Sequence, residues 1–465
     1  MIPRVVAHEL RASWRDGTTV VSWLAVLTML ALSLAVHSRR HAQAVADHAR
    51  QREELRQEWL GQGESSPHSA GHFGTFVHRV PPPLAAIDPG VDPFVGSSVR
   101  IEAHVQHDFK FRAAADEGAS RSFGFLSPAL VLQLLAPLLV LLGAALRFGG
   151  ERERGTLGLL LFSAPSPGRL VAGKSLASAS AILALVTPLA LGGWMAADSA
   201  NERAALGWMT VAYALYLGAF AGLGAWLGLA SRDQSRALLG AVVLWVATCL
   251  LVPRLASEFA SQRHPLPSRA EFEASVEAGH AEGIDGHNPE DARRKELESK
   301  VLAQYGVSEL KDLPVNFGGI VMQAEEEHRA KVHEREFGEL WSTLAAQEST
   351  VTGFSLVSPL CALRPVSMAL AGTDVPAALD FARAAADYRI EFIGFLNDLE
   401  AHEIDEKKRP KMVGTETWSR VAEFEPPDRP LAERLAPNRT SLVALFAWCA
   451  AAWLAVASRL KRWTP

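Results

Sequence analysis

Six stretches of this chain carry almost no charge and are long enough to cross a bilayer, and they decide what it can fold into. They are residues 18–36, 127–146, 175–196, 205–230, 237–252 and 439–459. As a helix the first would reach roughly 29 Å at 1.5 Å per residue, about the thickness of the hydrocarbon core. Backbone N–H and C=O groups find no water there, so apolar runs of this length are read as helices whose hydrogen bonds close internally. Pro137 and Pro188 sit inside two of the runs, as bends whose freed backbone groups neighbouring helices re-satisfy. The expected fold is an all-α polytopic membrane protein, with six transmembrane helices and a mostly helical extracytoplasmic domain.

The connections sort by charge. Arg4, Arg11 and Arg15 precede the first run, and Arg147, Arg152, Arg154, Arg169 and Lys174 fill the loop 147–174. Arg232 and Arg236 lie in the turn 231–236, and Arg459, Lys461 and Arg462 in the last stretch, whereas the short connection after the third run has only Arg203. Short loops rich in Lys and Arg stay in the cytoplasm. Both termini are therefore expected inside, and the long polar segments 37–126 and 253–438 outside. Arg39 and Arg40 follow the first run, but long loops translocate with little regard to charge. Residues 1–17 read as a helix lying in the cytoplasmic interface rather than a cleavable signal, with Val5, Val6, Leu10 and Trp14 on one face. In the fourth run, Gly218, Gly222, Gly224 and Gly228 form two small-xxx-small pairs, which let helices approach closely.

The polar segments account for a mean hydropathy of only +0.09 in a chain with such apolar runs. Residues 41–62 read as a polar helix, and 63–121 as a Pro-, Gly- and His-rich segment with an extended piece near 98–104. Residues 269–282, 289–305, 316–347 and 374–402 show helical periodicity with many Glu/Arg pairs. The apolar segment 354–370, broken by Pro359 and Pro365, is either the core of this helical domain or a ridge resting on the membrane or lining a substrate path.

Much chemistry is absent. The formal charge of −5 and the lack of a basic, aromatic stripe give no sign of nucleic-acid binding. Cys249, Cys361 and Cys449 show no spacing for a zinc site or a disulfide framework. There is no P-loop, HExxH, GxSxG or Rossmann glycine pattern. Glu325 with His328, His333 with Glu336, and His104 with His107 read as solvated faces, so no catalytic or metal-ligating residue is expected. The runs hold almost no ionisable side chains, whereas an ion-coupled carrier keeps one in its pathway. Transport by this chain would need an external energy source.

The string Glu151-Arg-Glu-Arg-Gly-Thr-Leu157, then Ser163-Ala-Pro-Ser-Pro-Gly168, then Gly173-Lys174, resembles the loop of ABC-2 type transporter permeases. In the second polar segment, Leu313-Pro-Val-Asn-Phe317, Ser358-Pro-Leu360, Leu363-Arg364, Ser367-Met-Ala-Leu-Ala-Gly-Thr-Asp374 and Tyr388-Arg389 resemble the subfamily that carries an uncharacterised extracytoplasmic domain between its last two spans. Members of that subfamily tend to have histidines shortly after the Gly-Thr-Asp; here Val375-Pro-Ala-Ala follows, so roles resting on those histidines do not carry over. The resemblance implies an interfacial elbow helix, with Arg4, Glu9, Arg11 and Arg15, and a coupling helix that docks on a cytoplasmic ATPase. Its docking residues would be Glu151, Arg152, Glu153, Arg154, Gly155, Thr156, Leu157, Leu160 and Phe162. It further implies an ABC ATPase dimer holding ATP and Mg, a second permease copy or a sister permease, and a bacterial inner membrane. The function so implied is export or membrane extraction of an unidentified substrate. The alternative is a non-transporting scaffold or sensor whose outer domain binds a partner protein.

Overall fold

A computed structural model describes residues 2–110, 126–153, 155–156, 158–159, 167–285, 287–403 and 412–461. The chain is overwhelmingly helical, as expected. Among the described residues, six helices are long and apolar enough to cross a membrane: Gly17–Gly61, Pro128–Glu151, Gly168–Ala196, Ala200–Ala230, Gln234–Arg263 and Leu431–Leu460. An amphipathic helix, Ile2–Arg15, precedes them and leaves Arg4, Arg11, Trp14 and Arg15 exposed. Asp16 separates it from the first span and caps that span by accepting from the Thr19 N–H.

The fourth span is the hub of the bundle. It packs on the second, third, fifth and sixth spans and on the helix Pro359–Ala371. Its two glycine pairs serve different neighbours. A Cβ on Gly218 would lie 3.2 Å from Cys449 Sγ, and one on Gly222 would lie 2.8 Å from Ala452 Cβ, both in the sixth span. A Cβ on Gly224 would run into the Leu141 carbonyl and Ala144, and one on Gly228 would lie 2.5 Å from the Ala145 carbonyl, both in the second span. The missing side chains thus let three helices meet backbone to backbone.

Two spans run differently from the sequence expectation. The first is continuous with the polar helix that follows it, as one 45-residue helix. No Pro or Gly interrupts residues 18–60, so the change from apolar to polar surface does not break the backbone. The fifth span does not stop at Pro253. A π-helical stretch, Val246–Leu251, carries the helix past Pro253 without a break; the proline has no N–H to donate to the turn before it, and the Thr248 carbonyl in that turn accepts from Ser358 Oγ instead.

The two polar segments form one body. Trp59, at the end of the first-span helix, shares a core with Val77, Val99, Ile101, Phe381, Phe392, Leu396 and Trp418. The Trp59 indole N–H donates to the Trp418 carbonyl at 3.0 Å, and the Trp418 indole N–H to the Gly63 carbonyl at 2.9 Å. Ser65 and Val413 exchange backbone hydrogen bonds. A two-stranded antiparallel sheet, Thr75–His78 with Ser98–Ile101, and the helices Phe317–Gly353 and Val375–Asp398 complete this domain.

The segment 354–370 does not belong to that core. Pro359–Ala371 starts at an N-cap, Ser358, with Pro359 in its first turn. Leu360, Leu363, Val366 and Leu370 join the core of the spans. Ser358 Oγ donates to the Thr248 carbonyl at 2.6 Å, and Tyr213 Oη lies 3.0 Å from Ser367 Oγ. This helix is the wedge joining the spans to the polar domain.

Candidate functional site: a buried ion cluster under the elbow helix

The most unusual chemistry near the predicted coupling loop is a set of charged groups buried where three helices meet. The third-span helix begins at Pro167. A Cβ on Gly173 would lie 2.7 Å from Val5 Cβ, so glycine here allows the N-terminal helix to lie directly on the third span. That contact brings Glu9, buried despite its charge, over Lys174.

Lys174 is 1% exposed. Its Nζ donates to Glu9 Oε1 at 2.6 Å, to Glu151 Oε1 at 2.7 Å and to the Arg147 carbonyl at 3.0 Å. An ammonium has three N–H donors, and all three are used. The Arg147 guanidinium donates to Ser178 Oγ at 2.7 Å and stands 4.0 Å from Glu9 Oε2. Two carboxylates face two cations, so the cluster is neutral. Phe148 closes one side, its ring centroid 5.4 Å from Lys174 Nζ. The cluster thus links the N-terminal helix, the end of the second span and the start of the third.

The glycine and threonine of the loop string have a local reason. The helix after the second span runs to Glu153. Gly155 follows with φ +68°, a left-handed conformation that favours glycine. The Thr156 hydroxyl then donates to the Glu151 carbonyl at 3.2 Å, satisfying an acceptor at the helix end.

The structure divides the predicted docking residues. Glu151 points inward to Lys174, whereas Glu153 and Gly155 are exposed and Thr156 is half-buried. Arg152 lies on the helix, and Arg154, Leu157, Leu160 and Phe162 lie outside the described residues. Leu159 is 71% exposed, an apolar side chain offered to the outside of the protein. On the N-terminal helix, Glu9 parts from Arg4, Arg11 and Arg15: it is buried in the cluster and they are exposed.

A model of the ABC-2 family transporter proteins matches residues 4–277. The chain belongs to the ABC-2 transporter family. A second model, a domain of unknown function designated DUF3526, matches residues 269–426. No curated protein and no solved structure matches the chain. The match to this permease family takes in the elbow helix, five spans and the loop 147–174, including all four charged members of the cluster. It establishes a multi-pass membrane component. The second match covers most of the helical part of the polar domain, but not Trp59 or the two strands that complete its core.

The polar domain also holds a grouping that the sequence reading missed. The ligand-capable atoms of His68, His72 and His104 all lie within 4.8 Å of one another, as do those of His104, His287 and Glu325. The expectation of no metal-ligand cluster rested on local spacing, and only His68 and His72, one helical turn apart, are local. Glu325 is buried and accepts from Arg329 Nε at 3.0 Å, so it is not the solvated surface group expected. His328 likewise lies 2.9 Å from the Gly279 carbonyl. His333 is buried, and burial together with the Arg389 charge pushes it down to about 3.

Proposed function

We propose that this chain is the membrane-spanning permease subunit of an ATP-driven exporter or membrane extractor. Both termini and the loop 147–174 would face the cytoplasm of a bacterial cell, and the polar domain would lie outside. A separate ABC ATPase dimer would bind ATP and Mg and dock on the loop, and a second permease copy or a sister permease would complete the pore. The reading rests on the Lys174 cluster. The loop leaves the second span at Glu151–Glu153 and re-enters the third before Lys174, and both ends are held to Glu9 by one buried ammonium. A push on the loop therefore reaches the elbow helix and two spans together. Arg147, Glu151, Lys174 and Glu9 act as the internal tie, and Glu153, Leu159 and the neighbouring loop residues offer the docking face.

The test is affinity purification of the tagged chain from its native membrane, with ATP hydrolysis assayed on what accompanies it. The expected result is a stoichiometric ATPase that is lost in the Arg152→Glu/Arg154→Glu and Glu153→Arg/Leu159→Asp variants. The same absence of ATPase from the folded parent and its variants would overturn the reading and leave a membrane scaffold.

A further inference from the structure

We propose that the polar domain binds one first-row divalent transition-metal ion, of the zinc class, through the triad His68, His72 and His104, with His287, which groups with His104 and Glu325, closing in as the fourth ligand. His68 and His72 occupy successive turns of the helix Pro67–Phe73, and their Nε2 atoms are 3.2 Å apart. Two imidazole nitrogens on one tetrahedral zinc, each at 2.0–2.1 Å, stand about 3.3 Å apart. His104 comes from the chain just after the second strand. Its ring centroid lies 5.6 Å from that of His68 and 5.2 Å from that of His72. His287 comes from the second polar segment, with its ring centroid 5.3 Å from that of His104 and 5.7 Å from that of His68.

His104 is the member that points most directly to a missing partner. Its side chain is only 13% exposed, and among the described residues neither ring nitrogen has a hydrogen-bond partner. Buried polar atoms are nearly always paired, and an orphan calls for an explanation. Its backbone has φ +65°, rare for a residue with a side chain. The protein holds it there from both ends: its N–H donates to Glu326 Oε2 at 3.2 Å, and its carbonyl accepts from Arg329 Nη1 at 3.4 Å. An uncommon backbone conformation, fastened by two charged groups, thus presents a buried imidazole without a partner to three others.

The donor set selects the metal. Imidazoles without thiolates favour zinc, copper and nickel, and exclude the all-oxygen preference of Mg2+ and Ca2+. Glu325 Oε1 lies 3.8 Å from His104 Nδ1, where a carboxylate behind a ligating imidazole orients the ring. His68, His72 and His104 belong to the first polar segment, and His287 and Glu325 to the second. The ion would staple together two segments whose sequence separation is nearly two hundred residues.

The test uses the full-length chain in detergent, purified on a histidine-free tag, stripped with chelator and then equilibrated with Zn2+ or Co2+. Elemental analysis should find one ion per chain, and Co2+ should give the visible bands of a nitrogen-ligated tetrahedral site. His104→Ala and the pair His68→Ala/His72→Ala should weaken binding, measured against a chromophoric chelator, by about 100-fold or more. His402→Ala, an exposed histidine paired with Asp398, should not change it. Tryptophan fluorescence, to which Trp59 and Trp418 in the core beside the site contribute, shows whether each variant is folded. Binding below one ion per ten parent chains, or full affinity in folded His104→Ala, overturns the proposal. If His104→Ala does not fold, the exposed His287→Ala decides in the same assay: unchanged affinity and Co2+ bands there overturn the site.

Discussion

Replacing Lys174 by Met keeps the length of the side chain and removes the ammonium that holds the cluster. Glu9 Oε1 and Glu151 Oε1 contact the same Nζ at 2.6 and 2.7 Å, so they lie within about 5 Å of each other. At that separation, and at an effective dielectric constant near 20, two like charges repel by about 3 kcal/mol. Two charge-assisted hydrogen bonds are lost as well, and Arg147 offsets only part of the imbalance from 4.0 Å. The net loss should fall at about 3–5 kcal/mol, the range for breaking a buried ion pair. The triple variant Glu9→Gln/Glu151→Gln/Lys174→Met removes both carboxylate charges and should regain most of it. Equilibrium unfolding in mixed micelles, followed by tryptophan fluorescence, measures both. A Lys174→Met protein within about 1 kcal/mol of the parent, or a triple variant no better than the single, would refute the claim that this lysine holds the elbow to the loop.

Gly173→Ala sets a methyl against Val5 and should lift the elbow helix at a cost of about 1–3 kcal/mol. Val5→Ala in the same chain removes the γ-methyl contact but keeps the Val5 Cβ at 2.7 Å, so it should restore only part of the loss, and the same unfolding assay reads it. Gly224→Ala and Gly228→Ala meet backbone carbonyls of the second span, which cannot rotate away, so no single side-chain truncation should rescue them; rescue by Ala144→Gly would count against this packing. Burial, with Asp374 nearby, raises Glu348 from 4.5 to about 7. The folded state keeps its proton where the unfolded chain has lost it, so stability is full below 4.5 and falls as pH rises through 7. Glu348→Gln should match the parent at pH 4.5 and exceed it at pH 8 by roughly 2–3 kcal/mol; equal stability at pH 8 would contradict the assignment.

What the sequence made legible is what repeats locally. Charge-free runs marked all six spans, and the spacing of Gly218, Gly222, Gly224 and Gly228 marked a packing helix without saying which neighbour each pair would meet. The string from Glu151 to Lys174 marked the loop, but not that the Lys174 ammonium at its end donates both to Glu151 at its start and to Glu9. That pairing joins residues far apart in the chain, and no local periodicity encodes it. The same holds for Trp59 on Trp418 and for Ser65 on Val413, which fuse two polar segments that read as separate. His104 gave no signal because its neighbours come from three different places and its left-handed backbone depends on Glu326 and Arg329.

The first-span helix has a mechanical consequence. Gly17 lies at the elbow and Trp59 in the polar core, and the unbroken helix between them spans about 60 Å. A helix without a Pro or an internal Gly has no hinge. Turning its elbow end by about 10° would carry Trp59 about 10 Å sideways at that length, several times the slack in a packed tryptophan seat. The far domain must therefore travel with the elbow end of this helix or lose its core, so the polar domain and the first span are mechanically one piece.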